Sequence, residues 1–206
     1  MPPIIVYEDP GWQRLLPLVY VRAVFQLVCG TMDLLSRVRV HAPSEPDLWC
    51  RPNLADLVGE QTSLVVNRDA GAATLFLNGR GLWTGIPDVS DSDGSWVGTC
   101  GSDDIACIYA DSDLVTRLSA EDLLDETRLR GLLSGLPRRD VGATVRLMMW
   151  PWDFVLANEA QLEADWVSDP RPGVHGRVCE GAYLLGKENV FIGKEHSRQA
   201  DRCRGR

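Results

Sequence analysis

The chain has no Cys-x-x-Cys pair, only three histidines, and no apolar run of the roughly 18–20 residues that crossing a bilayer requires. Its six cysteines (Cys29, Cys50, Cys100, Cys107, Cys179 and Cys203) are scattered. That spacing argues against a zinc site and suits reduced thiols in a cytoplasmic protein. No basic segment precedes an apolar stretch at the N-terminus, which argues against a secretory signal. Positive charge is also short: 21 Lys and Arg stand against 29 Asp and Glu, for a net charge of −8. A polyanion would be repelled on average, so nucleic acid is not an expected partner. The exception is the tail from Ser197, where Arg198, Arg202, Arg204 and Arg206 crowd together as a basic disordered end. His41, His175 and His196 have no nucleophile pattern around them, so no Ser/His/Asp or Cys/His triad is visible. Asp91-Ser92-Asp93-Gly94 lacks the downstream Glu that would complete a calcium loop.

What the sequence does contain is a chain of 206 residues, 45% apolar and 24% charged, the composition of a soluble α/β domain with a substantial core. Ile4 to Tyr7 reads as a buried strand that breaks at Glu8, Asp9 and Pro10-Gly11 into a polar turn. Helical spacing follows over Asp33 to Val38, and a short helix over Asn53 to Val58. The Pro-rich stretch 41–52 between them reads as loop. Strands are expected at Ser63–Asn67, Thr74–Asn78, Ile105–Ala110 and Gly142–Trp150. The acidic, Ser- and Gly-rich stretch from Asp88 to Asp104 reads as a surface loop. Ser119 opens a capping box with Asp122, heading a helix to Leu133, and Asn158–Trp166 is a second helix. From Gly173 to Gly193 the pattern changes to short β segments punctuated by Gly. Strands alternating with helices indicate an α/β fold.

Several short motifs in order resemble one group. Leu15-Leu16-Pro17-Leu18, then Arg22, Phe25, Leu27 and Gly30, precede a Leu-rich helix. Arg51 with Asn53-Leu54, Val66-Asn67 and Phe76-Leu77-Asn78-Gly79-Arg80 follow, then Trp150-Pro151-Trp152-Asp153 and a helix with Glu163, Asp165 and Trp166. Glu188-Asn189-Val190-Phe191-Ile192-Gly193 looks like the opening of a hexapeptide-repeat β-helix. This ordering resembles the GlmU-like sugar nucleotidyltransferases, distant relatives of N-acetylglucosamine-1-phosphate uridyltransferase. The resemblance implies a Rossmann-like nucleotide-diphospho-sugar transferase sheet over 1–170, the start of a truncated left-handed parallel β-helix over 171–196, and the tail over 197–206. It implies an enzyme that joins a nucleoside triphosphate to a sugar 1-phosphate with Mg²⁺ and releases pyrophosphate. The alternative is a remnant of that fold that binds a nucleotide sugar or a partner without turnover. With so little β-helix, a monomer or weak oligomer is expected, with no membrane partner.

The better-known pyrophosphorylases carry a G-x-G-T-R loop and a lysine after the first strand. Here the loop offers Pro10-Gly11, Arg14 and Arg22, and the proline of the family's Arg-Pro pair is Ala23. Arg22 is the leading phosphate contact, since a guanidinium matches phosphate oxygens bidentately. A salt bridge from Arg22 to Glu8 or Asp9 is the structural alternative. Arg14 is a second candidate, or a solvated charge. Asp9 stands at the carboxyl end of the first strand, where open α/β sheets bind ligands, and also suits a turn before Pro-Gly. Asn78, Gly79 and Arg80 leave another strand, with Asn78 at the position of an acidic metal ligand in related enzymes. Asp153 is the second catalytic candidate, or a helix-capping carboxylate. The tryptophans could stack a base or sugar, although most should be core.

Overall fold

The computed structural model describes residues 1–90, 94–101, 103–168, 172–178 and 181–194. It divides into two units, Met1–Leu162 and Glu163–Arg206. In the first, β1 (Ile4–Tyr7) leads into a 3-10 turn at Pro10–Leu15 and a small hairpin of β2 (Val28–Cys29) and β3 (Met32–Asp33). Helix α1 (Leu34–His41) follows, its N-terminus capped by the Asp33 side chain on the Ser36 N–H. Next come β4 (Asp47–Trp49), α2 (Ala55–Thr62), β5 (Thr74–Asn78), β6 (Gly81–Trp83), β7 (Trp96–Cys100) and β8 (Asp104–Ala110). Three short helices follow: α3 (Ser112–Val115), α4 (Ala120–Leu124) and α5 (Glu126–Leu132). The unit closes with β9 (Arg138–Asp140), β10 (Val145–Leu147) and α6 (Pro151–Ser168), whose last turns belong to the second unit.

Six strands form one sheet in the order β4-β1-β5-β8-β7-β9. β1 runs parallel to β4 and β5, and β7 parallel to β9, while β8 alone is antiparallel to both neighbours. The central strands Ile4–Tyr7 and Thr74–Asn78 are buried along their whole length. A sheet covered on both faces demands that, and it is why Ile4–Tyr7 and the Leu75 to Leu77 centre of β5 are apolar throughout. Alternate side chains serve opposite faces. Val6, Leu48, Leu75 and Leu77 pack against α1, α2 and the start of α6, whereas Ile5, Tyr7, Phe76 and Ile108 pack against α3 to α5. The result is the α/β fold expected, a mostly parallel sheet with helices on both faces.

Several local expectations change. Part of the Pro-rich stretch is strand β4, because Leu48 and Trp49 fill the core beside β1. β7 lies inside the stretch expected as surface loop, since Trp96 and Val97 are buried. The strand expected at 63–67 is reduced to a single bridge from Val66 to Leu48; Ser63, at φ 58°, ends α2 in the left-handed region. The strand expected at 142–150 shrinks to β10, paired with β6. The last helix begins seven residues earlier than expected, at Pro151, whose missing N–H costs nothing in a first turn. The Ser119–Asp122 capping box is present, but the helix it heads breaks at Asp125. Asp125 adopts an extended backbone and recaps α5 through the Arg128 N–H.

In the second unit, β11 (Gly173–Val174) and β12 (Phe191–Ile192) form one parallel pair, with a 3-10 turn at Lys187–Asn189 before β12. That pair is the extent of regular β structure among the described residues of the expected β-helix. The basic tail, Cys179, Cys203, His196 and Asp91 to Asp93 lie outside the described residues. Among the described residues no helix is long and apolar enough to cross a membrane.

Candidate functional site

β1 ends in two carboxylates, Glu8 and Asp9, and the strand's alternation sends them to opposite faces of the sheet. Glu8 is buried and fully engaged. It accepts hydrogen bonds from Arg51 Nε at 3.0 Å and Nη2 at 3.2 Å, and from the backbone N–H groups of Arg51 and Val24, each at 2.9 Å. Arg51 Nη2 also donates to the carbonyls of Val19 and Arg22, and its guanidinium lies 4.0 Å from the Trp12 ring centroid. One buried ion pair thus pins the loop from Trp12 to Val24. The salt bridge considered for Arg22 is made by Arg51 instead, and Arg22 contributes its carbonyl.

Asp9 meets Arg80, which has left β5 beside it. Arg80 Nε donates to Asp9 Oδ1 at 2.7 Å and Nη2 donates to Oδ2, a bidentate pair. Asn78 Nδ2 adds a third bond to Asp9 Oδ2 at 3.0 Å and a fourth to the Ile105 carbonyl at 2.9 Å. Arg80 Nη1 reaches the Met148 carbonyl at 3.2 Å and the Met149 sulfur at 3.0 Å. Burial opposes the charge on Arg80, but the Asp9 carboxylate outweighs it and moves the guanidinium pKa above its ordinary value. Two glycines let this cluster close. A Cβ on Gly11 would stand 2.5 Å from Arg80 Cζ, and one on Gly79 only 2.9 Å from the Tyr7 carbonyl, which accepts the Gly79 N–H. Tyr7 lies fully buried nearby with its hydroxyl unpartnered among the described residues. Burial, with Asp9 and Cys107 adding to it, holds that hydroxyl protonated, well above the usual phenol range. Burial likewise pushes the Cys50 and Cys107 thiols up to about 12, so neither is a nucleophile at neutral pH.

Above this pair opens a cavity of about 220 Å³ lined by Asp9 to Gly11, Gln13, Arg14, Arg80, Asp103 to Ile105, and Glu126, Leu129 and Arg130 of α5. It sits at the carboxyl ends of β1 and β5, the place where α/β sheets bind ligands. The charges within it are sorted. Arg80 is held by Asp9, Arg130 by Glu126 at 3.0 Å, and Asp103 by Arg138. Among the described residues, Arg14 has no ion pair or hydrogen bond from its side chain, and neither does the carboxylate of Asp104. Arg14 instead lies over the Trp150 ring, 5.8 Å from its centroid.

The structure therefore brings Asp9, Arg14, Asn78, Gly79 and Arg80 together. It does not bring Arg22 to them: that residue lines a separate cavity of about 460 Å³ with Asp33, Arg39 and Gln61. Asp153 stands in the first turn of α6, where its Oδ2 accepts the N–H groups of Met149 at 2.8 Å and Trp150 at 2.9 Å. Arg51 shows in the sequence as a motif residue but not as the partner of Glu8, and neither Asp104 nor Arg130 is singled out there. Asp104 carried a signal as the first residue of a β pattern, but it was absorbed into the acidic run before it.

A family model for sugar nucleotidyl transferases matches residues 4–168. The chain belongs to that family. Two solved structures are similar to this member. One, assigned as a glucose-1-phosphate thymidylyltransferase of Bacillus anthracis in complex with a sucrose, is 12% identical at a TM-score of 0.48. The alignment covers 79% of this chain and 96% of that one. The other is the CTP:phosphocholine cytidylyltransferase of Streptococcus pneumoniae, 11% identical at a TM-score of 0.49, with 77% and 98% covered. No curated protein matches the chain. The first lysine of the chain is Lys187, so every fixed positive side chain of the unit holding the cleft is an arginine.

Proposed function

We propose that this sugar nucleotidyl transferase is GlmU-like and condenses a nucleoside triphosphate with a sugar 1-phosphate in the cleft beside β1 and β5. The observation that carries the reading is Arg14: a guanidinium on the loop leaving β1, facing the cavity, and the one cleft arginine among the described residues without a carboxylate partner. Arg80 is neutralised by Asp9 and builds the floor. The phosphate contact proposed from sequence for Arg22 is accordingly assigned to Arg14, with Asn78 and Gly79 shaping the floor beneath it. Asp153 is proposed to act by holding the Met149–Trp150 backbone at the cleft edge.

In the reaction, an oxygen of the sugar 1-phosphate attacks the α-phosphorus of the nucleotide. The new P–O bond forms as the bond from that phosphorus to the bridging oxygen breaks, and pyrophosphate leaves with the electron pair. Charge grows on the phosphoryl oxygens, and a positioned guanidinium stabilises it without having to reorganise. Mg²⁺ fits this donor set in a limited way. Asp9, Asp103 and Glu126 are taken by arginines, which leaves Asp104 as the carboxylate that would hold it together with substrate phosphates. Such sharing is usual for a cation that keeps most of its waters. When bound it would neutralise phosphate charge.

The second unit supports the finer family assignment. β11 and β12 pair in parallel with Gly173 opposite Phe191 and Val174 opposite Ile192, eighteen positions apart and so three hexapeptide lengths. That offset suits one turn of a hexapeptide-repeat β-helix. The competing reading, a binding module without turnover, draws on the complete engagement of Asp9 by Arg80 and Asn78. A pyrophosphate-release assay over a panel of nucleoside triphosphates and sugar 1-phosphates separates the two. Release that requires both substrates and Mg²⁺ supports the transferase. A nucleotide-induced rise in melting temperature with no release supports the module.

A further inference from the structure

We propose that the stacked side chains of Trp150 and Trp152 form the platform on which the nucleotide's base rests, a proposal that builds on the transferase reading above. Of the seven tryptophans, Trp49, Trp83 and Trp96 are buried in the core, Trp12 covers Arg51, and Trp166 is half-buried on α6. Trp150 and Trp152 are different: they are 42% and 56% exposed, with ring centroids 5.2 Å apart and planes within 10° of parallel. Two large indoles left side by side in water forgo the burial that places most tryptophans inside.

Their backbone is fixed. Pro151 begins α6, and the Asp153 carboxylate takes the N–H groups of Met149 and Trp150. Their position is tied to the cleft twice, through Arg14 over the Trp150 ring and through the Met149 sulfur on Arg80 Nη1. Trp152 has one face on Trp150 yet remains more than half exposed, so its opposite face is open. A flat aromatic surface beside an unpaired guanidinium matches the two ends of a nucleotide. The base stacks on indole through its π face, and the phosphates take the arginine.

The test is calorimetric titration of the full chain with ATP, CTP, GTP, UTP and dTTP, and with inorganic tripolyphosphate, which has charge but no base. Trp152→Ala should weaken the tightest-binding nucleotide about tenfold or more, while Trp152→Phe retains most of the affinity. Tripolyphosphate affinity should be the same in all three proteins. Unchanged nucleotide affinity in Trp152→Ala, alongside an Arg14→Ala variant that loses it, overturns the platform and leaves the transferase reading standing. An equal loss of tripolyphosphate affinity in Trp152→Ala also overturns the platform, because the effect would not then depend on a base. Failure of the unaltered chain to bind any of the five nucleotides overturns both.

Discussion

Two neighbouring carboxylates at the end of β1 meet two arginines, and the outcomes differ. On one face of the sheet, Glu8 and Arg51 are sealed in, with each Glu8 oxygen accepting a backbone N–H and Arg51 Nη2 donating to two loop carbonyls. On the other, Asp9 and Arg80 are equally paired but stand beneath an open cavity. The chemistry of the pair is the same, yet one is a clamp for the loop and the other is a floor. What separates them is what lies above: the Trp12 ring over Arg51, and the side-chain-free Gly11 beside the cavity next to Arg80.

The contrast can be broken at several points. Arg51→Ala should have the largest effect on stability, about 3–5 kcal/mol by denaturant unfolding, because Glu8 would be left charged and buried. Arg80→Ala should fall at the lower end, about 3 kcal/mol, since the cavity admits water to the stranded Asp9. If Arg80→Ala cost more than Arg51→Ala, the distinction between clamp and floor would fail. Arg14→Ala should leave stability within about 0.5 kcal/mol and lower pyrophosphate release about 10²-fold, equivalent to about 2.7 kcal/mol in the barrier. A turnover rate equal to that of the unaltered chain would remove Arg14 from the phosphate site.

Asp111 sharpens the comparison with the smallest effect. It leaves β8 without an arginine and accepts the N–H groups of Asp113, Leu114 and Ser95. The Leu114 N–H leads in lowering its pKa. With the folded value below the unfolded one, its contribution is present above the unfolded pKa of about 3.9 and is lost as pH falls through the lower folded value. Asp111→Ala should cost about 1 kcal/mol at pH 7, as for other helix N-caps. The difference from the unaltered chain should shrink in unfolding curves taken at progressively lower pH.

The parts of the fold legible in the sequence are those whose signals are local. β1 shows as an unbroken apolar run because both faces of a central strand are covered, and β5 as an apolar core of Leu75 to Leu77 for the same reason. The Ser119–Asp122 box shows because its hydrogen bonds span three residues. β4 and β7 were hidden: three residues among prolines and five beside an acidic run are strands only because neighbours supply their pairing. In the site, Asp9, Arg14, Asn78 and Arg80 were found as polar residues at strand exits. Arg51 was visible as a motif residue but not as the partner of Glu8, and Arg22 was favoured because it stands at the family's Arg-Pro position, whereas Arg14 read as a solvated charge. Nothing local shows which of them faces the cleft.

By itself, then, the sequence determined the α/β alternation, the two polar strand exits and a cleft-side loop whose only cations are arginines. Only the tertiary structure decided which arginine each carboxylate takes. Glu8 meets Arg51 43 residues away and Asp9 meets Arg80 71 residues away, and both meetings depend on β4 and β5 flanking β1. Pairing at such separations depends on sheet order, which no local pattern encodes, and that order leaves Arg14 without a carboxylate partner among the described residues at the cleft.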